Sequence, residues 1–156
     1  MASGVDPFTA AEVLARVPQQ DPFRFIDGID ELDADHIVAH CTFPDDAHFY
    51  RGHFPGNPIT PGVILTEAMA QAGVVAFGIY LLSLEEGGRD AIEKVLTLFT
   101  EANVEFSSMV LPGERVITTA GKEMFRRRKL RSRVEMRRED GALVASGTIA
   151  GMGVSR

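Results

Sequence analysis

A histidine in a stiff loop and a carboxylate inside an apolar helix are the two side chains in this sequence best suited to move protons. His53 lies in Arg51-Gly52-His53-Phe54-Pro55-Gly56-Asn57-Pro58-Ile59-Thr60-Pro61-Gly62, where three prolines and three glycines fix a backbone path that ordinary residues could not follow. Such a path can hold the imidazole beside the helix into which it leads. Glu67 falls in a stretch, Val63 to Leu82, that is apolar on nearly every side, and a carboxylate buried there needs a reason. Gln71 follows four residues later on the same helical face, placed to orient the acid. Gly62 and Val63 open the helix, and their free N–H groups point out of its positive end, where they can polarise a carbonyl or hold an oxyanion.

Each feature has an ordinary alternative: an exposed loop histidine, a Glu67 paired with a basic group from another element, a plain helix start. Together they suit one chemistry. Neutral His53 takes the proton next to a thioester carbonyl, and the Gly62 and Val63 amides meet the enolate-like charge. A neutral Glu67, its pKa raised by desolvation, protonates the departing hydroxide. No metal or organic cofactor is required. His36, His40 and His48 have no comparable surroundings and read as structural or surface residues.

These groups must be positioned by the elements around them. Thr9-Ala10-Ala11-Glu12 is a capping box, predicting a short helix through Val17 that Pro18 stops. Phe23 to Leu32 and His36 to Phe43 read as strands joined by Asp33-Ala34-Asp35. Pro44 to Thr60 is a long loop of the kind that carries function. Pro61 to Leu82 is the one long helix, with Thr60 as cap and Pro61 in the first helical position. Lys94 to Phe106, Arg115 to Met124, Lys129 to Arg138 and Leu143 to Gly151 read as strands, with Pro112-Gly113 and Asp140-Gly141 supplying turns. A helix apolar all round is a membrane span or a buried core. Glu67 and Gln71 inside it, and about five antiparallel strands after it, favour a sheet curled around the helix.

The 156 residues predict one domain, spanning residues 1–156. A hydrophobic fraction of 45% and a charged fraction of 24% are globular values, and a net charge of −6 argues against a nucleic-acid binder. The single Cys41 cannot form an intramolecular disulfide, and no Cys/His cluster has zinc-site spacing. Met1 to Phe8 carry no basic residue and lead into no apolar run, so no secretory leader and a cytoplasmic location are expected. Against the acidic background, Arg126 to Arg138 reads RRRKLRSRVEMRR. This run is either a solvated strand face or a landing site for an acidic partner.

The segment Gly52 to Gly73, GHFPGNPITPGVILTEAMAQAG, closely resembles the 3-hydroxyacyl-acyl-carrier-protein dehydratases of the FabZ type; weaker similarity runs from Val13 to the end. The resemblance implies an α+β hot-dog fold, a long central helix wrapped by a curved antiparallel sheet of about five to six strands. It implies that His53 and Glu67 are the catalytic pair, where the related FabA type carries aspartate in place of the glutamate. It implies dehydration of 3-hydroxyacyl chains to trans-2-enoyl chains, in fatty-acid or specialised lipid and polyene synthesis, without a cofactor. The implied partners are an acyl carrier protein and a second copy of the chain. In such homodimers each site takes its histidine from one subunit and its acid from the other, and three dimers can form a hexamer. Arg126, Arg127, Arg128 and Lys129 are then the residues expected to receive the carrier. Two departures stand out: Gln19-Gln20-Asp21 where the family usually has a His-Arg pair, and Asp27-Gly28 where Asp-Arg is common. A hot-dog thioesterase and a non-catalytic acyl-binding paralogue are the competing readings.

Overall fold

Thr9 begins the first element. Its hydroxyl accepts the Glu12 N–H at 3.1 Å while the Glu12 carboxylate accepts the Thr9 N–H at 3.2 Å, so the expected capping box closes. Helix α1 accordingly runs Ala10–Arg16 in the computed structural model, which describes residues 6–156. The expectation about a leader falls partly on residues 1–5, outside the described residues.

Strands β1 (Gly28–Leu32), β2 (His36–Thr42), β3 (Val95–Phe106), β4 (Arg115–Arg126), β5 (Lys129–Arg138) and β6 (Leu143–Ser155) form one antiparallel sheet in the order β1-β2-β4-β5-β6-β3. Alternation assigns their faces: Ile37, Ala39 and Cys41 of β2 and Leu130, Ser132, Val134 and Met136 of β5 turn inward. Helix α2 (Gly62–Ser83) lies against that inner face. It is long and apolar enough to cross a membrane, yet 67% of its most apolar window is buried within the protein. A core helix meets the same test for that reason.

The middle of α2, Gln71–Ala76, is wound as a π-helix and touches β2, β4, β5 and β6. Gly73 makes this approach possible. A Cβ there would stand 2.9 Å from the Ala120 Cβ and 3.1 Å from Val134 Cγ1, closer than side chains tolerate. The Gly73 carbonyl accepts the buried Ser132 hydroxyl at 2.6 Å, which satisfies a polar group of β5 inside the core.

The structure departs from expectation at several points. Pairing in the first strand starts at Gly28, not Phe23, because the backbone of Phe23 and Phe25 is taken by the Gln71 side chain instead of a neighbouring strand. Pro61 is the N-cap of α2 rather than its first helical residue, and Thr60 does not cap. The Thr60 hydroxyl is instead 2.6 Å from the Tyr50 hydroxyl. A short helix α3 (Gly88–Ile92) was not anticipated, and His48–Arg51 forms a 3-10 turn within the long loop. β4 and β5 are joined by Arg127 and Arg128, both with positive φ (52° and 64°), a turn that no glycine announces.

Candidate active site

The loop before α2 holds His53 through its own backbone. His53 N–H donates to the Phe49 carbonyl at 3.1 Å, Ile59 N–H donates to the His53 carbonyl at 2.9 Å, and Phe54 and Asn57 exchange two further bonds. Gly56, at φ +73°, lets the chain reverse there. The peptide between His53 and Phe54 is cis, and the two rings stack with centroids 4.1 Å apart. Nδ1 of the half-buried imidazole lies 2.9 Å from the Ile59 carbonyl oxygen. A carbonyl can only accept, so Nδ1 carries the proton, and in the neutral ring Nε2 is left with its lone pair. The loop thus selects the tautomer a base needs.

Glu67 is half-buried on α2, and burial raises its pKa while the hydrogen bond from Gln71 pulls it part of the way back. Gln71 is 0% exposed, and its side chain has a partner for each of its polar atoms. Its Nε2 donates to Glu67 Oε2 at 2.9 Å and to the Phe23 carbonyl at 2.9 Å, and its Oε1 accepts the Phe25 N–H at 2.6 Å. The side chain therefore ties the acid to the Phe23–Phe25 segment, a role the sequence reading did not see. It expected only the one-turn link between Gln71 and Glu67.

A cavity of about 350 Å³ opens beside Glu67, walled by Phe23, Val74, Val75, Leu98 and Phe99. Gln19, one of the departures from the family pattern, lines it too. An acid among these walls keeps its proton more readily than in water, which suits a proton donor. His53, Gly62 and Val63 are not among the residues lining this cavity. Within one chain Glu67 is joined to Gln71, and no residue of the His53 loop lines the cavity beside them. At the start of α2 no side chain caps the helix, and the first backbone donors to Pro61 O are Ile64 and Leu65. Gly62 and Val63 N–H have no acceptor among the described residues, as the first amides of a helix ordinarily do. A Cβ on Gly62 would sit 3.2 Å from the Phe106 ring, and Val63 is 77% exposed.

The edge strand β3 completes the surroundings. It exposes Leu98, Phe99 and Phe106, each about half open to solvent, along twelve residues with one free hydrogen-bonding edge. The run Val95-Leu96-Thr97-Leu98-Phe99, apolar on both faces, was the available signal for this and went unread.

The basic run divides in two. Arg131 pairs with Glu101 at 2.8 Å, Arg133 with Glu123 at 3.7 Å, Arg137 with Glu135 at 2.7 Å and Arg138 with Asp140 at 3.2 Å. Arg126, Arg127, Arg128 and Lys129 have no carboxylate at ion-pair distance among the described residues and sit together at the tip of the β4–β5 hairpin. The solvated-face reading accounts for the paired half of the run, and the landing-site reading is left to the unpaired four. No grouping of three or more His, Cys, Asp or Glu suited to a metal ion occurs among the described residues.

A long helix packed across a curved six-stranded antiparallel sheet, with a protonatable acid beside an apolar cavity, is the hot-dog arrangement of acyl-thioester proteins. Comparison agrees and narrows it. Residues 17–150 match the FabA-like domain, and the chain belongs to that family. It is 36% identical over 139 residues to a 3-hydroxyacyl-acyl-carrier-protein dehydratase FabZ of Streptococcus pyogenes serotype M3, covering 88% of this chain and 93% of the relative. Among solved structures, the dehydratase heterocomplex ApeI:P from Xenorhabdus doucetiae matches with a TM-score of 0.69 at 14% identity, over 92% of this chain and 91% of that one. A thioesterase from Haemophilus influenzae matches with a TM-score of 0.67 at 18% identity, over 97% and 94% of the two chains. At these identities the structural likenesses speak for the fold alone.

Proposed function

We propose that this chain is a hydro-lyase that converts 3-hydroxyacyl chains on an acyl carrier protein to trans-2-enoyl chains, in the synthesis of fatty acids or a related lipid. The observation that carries the reading is Glu67, an acid whose pKa is raised by an apolar cavity in a member of a dehydratase-containing family. In the proposed step, His53 Nε2 removes a proton from C2. The Gly62 and Val63 amides hold the carbonyl oxygen as negative charge develops there, and Glu67 passes its proton to the 3-hydroxyl. Water leaves, the double bond forms, and return of the proton from His53 to Glu67 resets the site. Nothing in this sequence of events calls for a metal or organic cofactor.

That His53 does not line the Glu67 cavity of its own chain supports a complete site assembled between two copies, each giving the histidine loop to the other's acid. The free edge and exposed Leu98 and Phe99 of β3 supply a surface for that pairing, and dimers can associate further into a hexamer. Of the four basic residues at the hairpin tip, Arg126, Arg127 and Lys129 present uncompensated charge to the acidic carrier. The whole chain, residues 1–156, acts as one cytoplasmic domain. The test is a carrier-bound 3-hydroxyacyl thioester followed at once for enoyl absorbance and free thiol. Enoyl product without thiol release is expected. Thiol release without enoyl product would replace the dehydratase by a thioesterase, and neither would leave an acyl-binding protein.

A further inference from the structure

A second cavity, about 260 Å³, lies farther along α2 and shares Val74, Val75 and Thr97 with the walls of the Glu67 cavity. Its floor is apolar: Gly78, Ile79 and Leu82 of α2, with Ile92 of α3 and Leu130 of β5. Its rim is not. Arg16, Arg128 and Arg156 stand there against one carboxylate, Glu93. Arg16 is already engaged, 3.8 Å from Glu93, with its guanidinium over the Phe8 ring. Arg128 and Arg156 have no carboxylate partner among the described residues, so the rim keeps two uncompensated positive charges. Arg128 holds a left-handed backbone at φ 64°, a conformation costly for a residue with a side chain, and Gly153 N–H donates to its carbonyl at 2.8 Å. The hairpin tip thereby fixes the backbone of Arg128, an exposed residue of the cavity lining.

An acyl chain whose C3 sits at Glu67 can follow the walls that the two cavities share, Val74 and Val75, about 12 Å along the helix, and reaches the level of Ile79 after about 18 Å. There it meets guanidinium groups rather than a closed apolar end. Resting on the dehydratase reading above, we propose that this site selects long acyl chains that end in a carboxylate, with Arg128 and Arg156 binding the distal acid. A methyl end would leave both charges facing apolar carbon, whereas a carboxylate answers them with charge-assisted hydrogen bonds.

The test compares 3-hydroxyacyl pantetheine thioesters of equal length ending in methyl or in carboxylate, using the full-length protein. Wild type is expected to show a higher kcat/KM for the carboxylate-ended chain. The double variant Arg128→Gln/Arg156→Gln should lower that preference ratio by about tenfold, and Arg128→Lys with native Arg156 should keep part of it. The ratio is internal to each preparation, so a partly misfolded variant does not distort it. Turnover of both thioesters by wild type with no preference, or a ratio unmoved in the double variant, overturns the inference and leaves the dehydratase reading intact. No turnover of either thioester overturns the dehydratase reading first. A third arm repeats the comparison with 4′-phosphopantetheine thioesters. If the double variant weakens only the response to that phosphate, the rim serves the carrier's arm and the proposal fails.

Discussion

Replacing Glu67 by Gln changes one proton and almost no volume, and the surroundings of Glu67 make the consequences separable. The Gln71 Nε2 that now donates to Glu67 Oε2 at 2.9 Å can donate equally to the carbonyl oxygen of an amide, so the tie to Phe23 and Phe25 survives. What disappears is the proton. A positioned general acid contributes about a hundredfold to ten-thousandfold, or roughly 3–5 kcal/mol of barrier, and Glu67→Gln should lose that much in kcat. Stability should move the other way. Burial raises the Glu67 pKa above 4.5, so between that value and the folded-state pKa the folded chain binds more protons than the unfolded one. Stability then falls as pH rises through this window, by at most about 1.36 kcal/mol per pH unit, and by less because solvent reaches a half-buried carboxylate. The amide has no such dependence, so the variant should match or exceed wild type at neutral pH and lose the slope. The assay is enoyl formation from a pantetheine substrate, paired with melting curves at a series of pH values. Turnover within about threefold of wild type would place the acid elsewhere, and an unchanged pH slope would refute the account of its environment.

His53→Ala should lose at least about a hundredfold in turnover with an unchanged circular dichroism spectrum. Mixed by subunit exchange with Glu67→Ala, it should recover roughly a quarter of wild-type activity, because half of the sites in a mixed dimer would then be intact; exchange confirmed by native mass spectrometry without recovery would exclude a shared site. Gln71→Leu leaves the buried Phe25 N–H and the part-buried Phe23 carbonyl without their partner, and urea unfolding should show a loss of about 1–3 kcal/mol. Changing Arg126, Arg127 and Lys129 to Glu should raise KM for carrier-bound substrate, in a manner that added salt mimics, while leaving KM for a methyl-ended pantetheine thioester nearly unmoved; equal effects on both substrates would return the hairpin tip to the status of a solvated surface.

What could be read from the sequence was whatever chemistry and geometry repeat over short separations. The Thr9–Glu12 box, the stiff loop around His53, the Glu67–Gln71 turn and the alternation along β5 all lie within a few residues of themselves, and all appear in the structure. Where the reading failed, partners distant in the chain decided the outcome. Phe23 to Asp27 has the composition of a strand, but Gln71, 46 residues beyond Phe25, satisfies that backbone first. Arg127 and Arg128 adopt a turn usually given to glycine because β4 and β5 pair up to Arg126 and Lys129, leaving two residues to reverse the chain. The same limit applies to the site as a whole. Local spacing could nominate His53 and Glu67, but it could not say that the loop leading into α2 stays outside the cavity beside Glu67. That separation is a property of how one chain packs. On the proposed reading it makes the pairing of a base and an acid a question about subunits, and among the described residues β3 offers both a free edge and exposed apolar side chains beside Glu67.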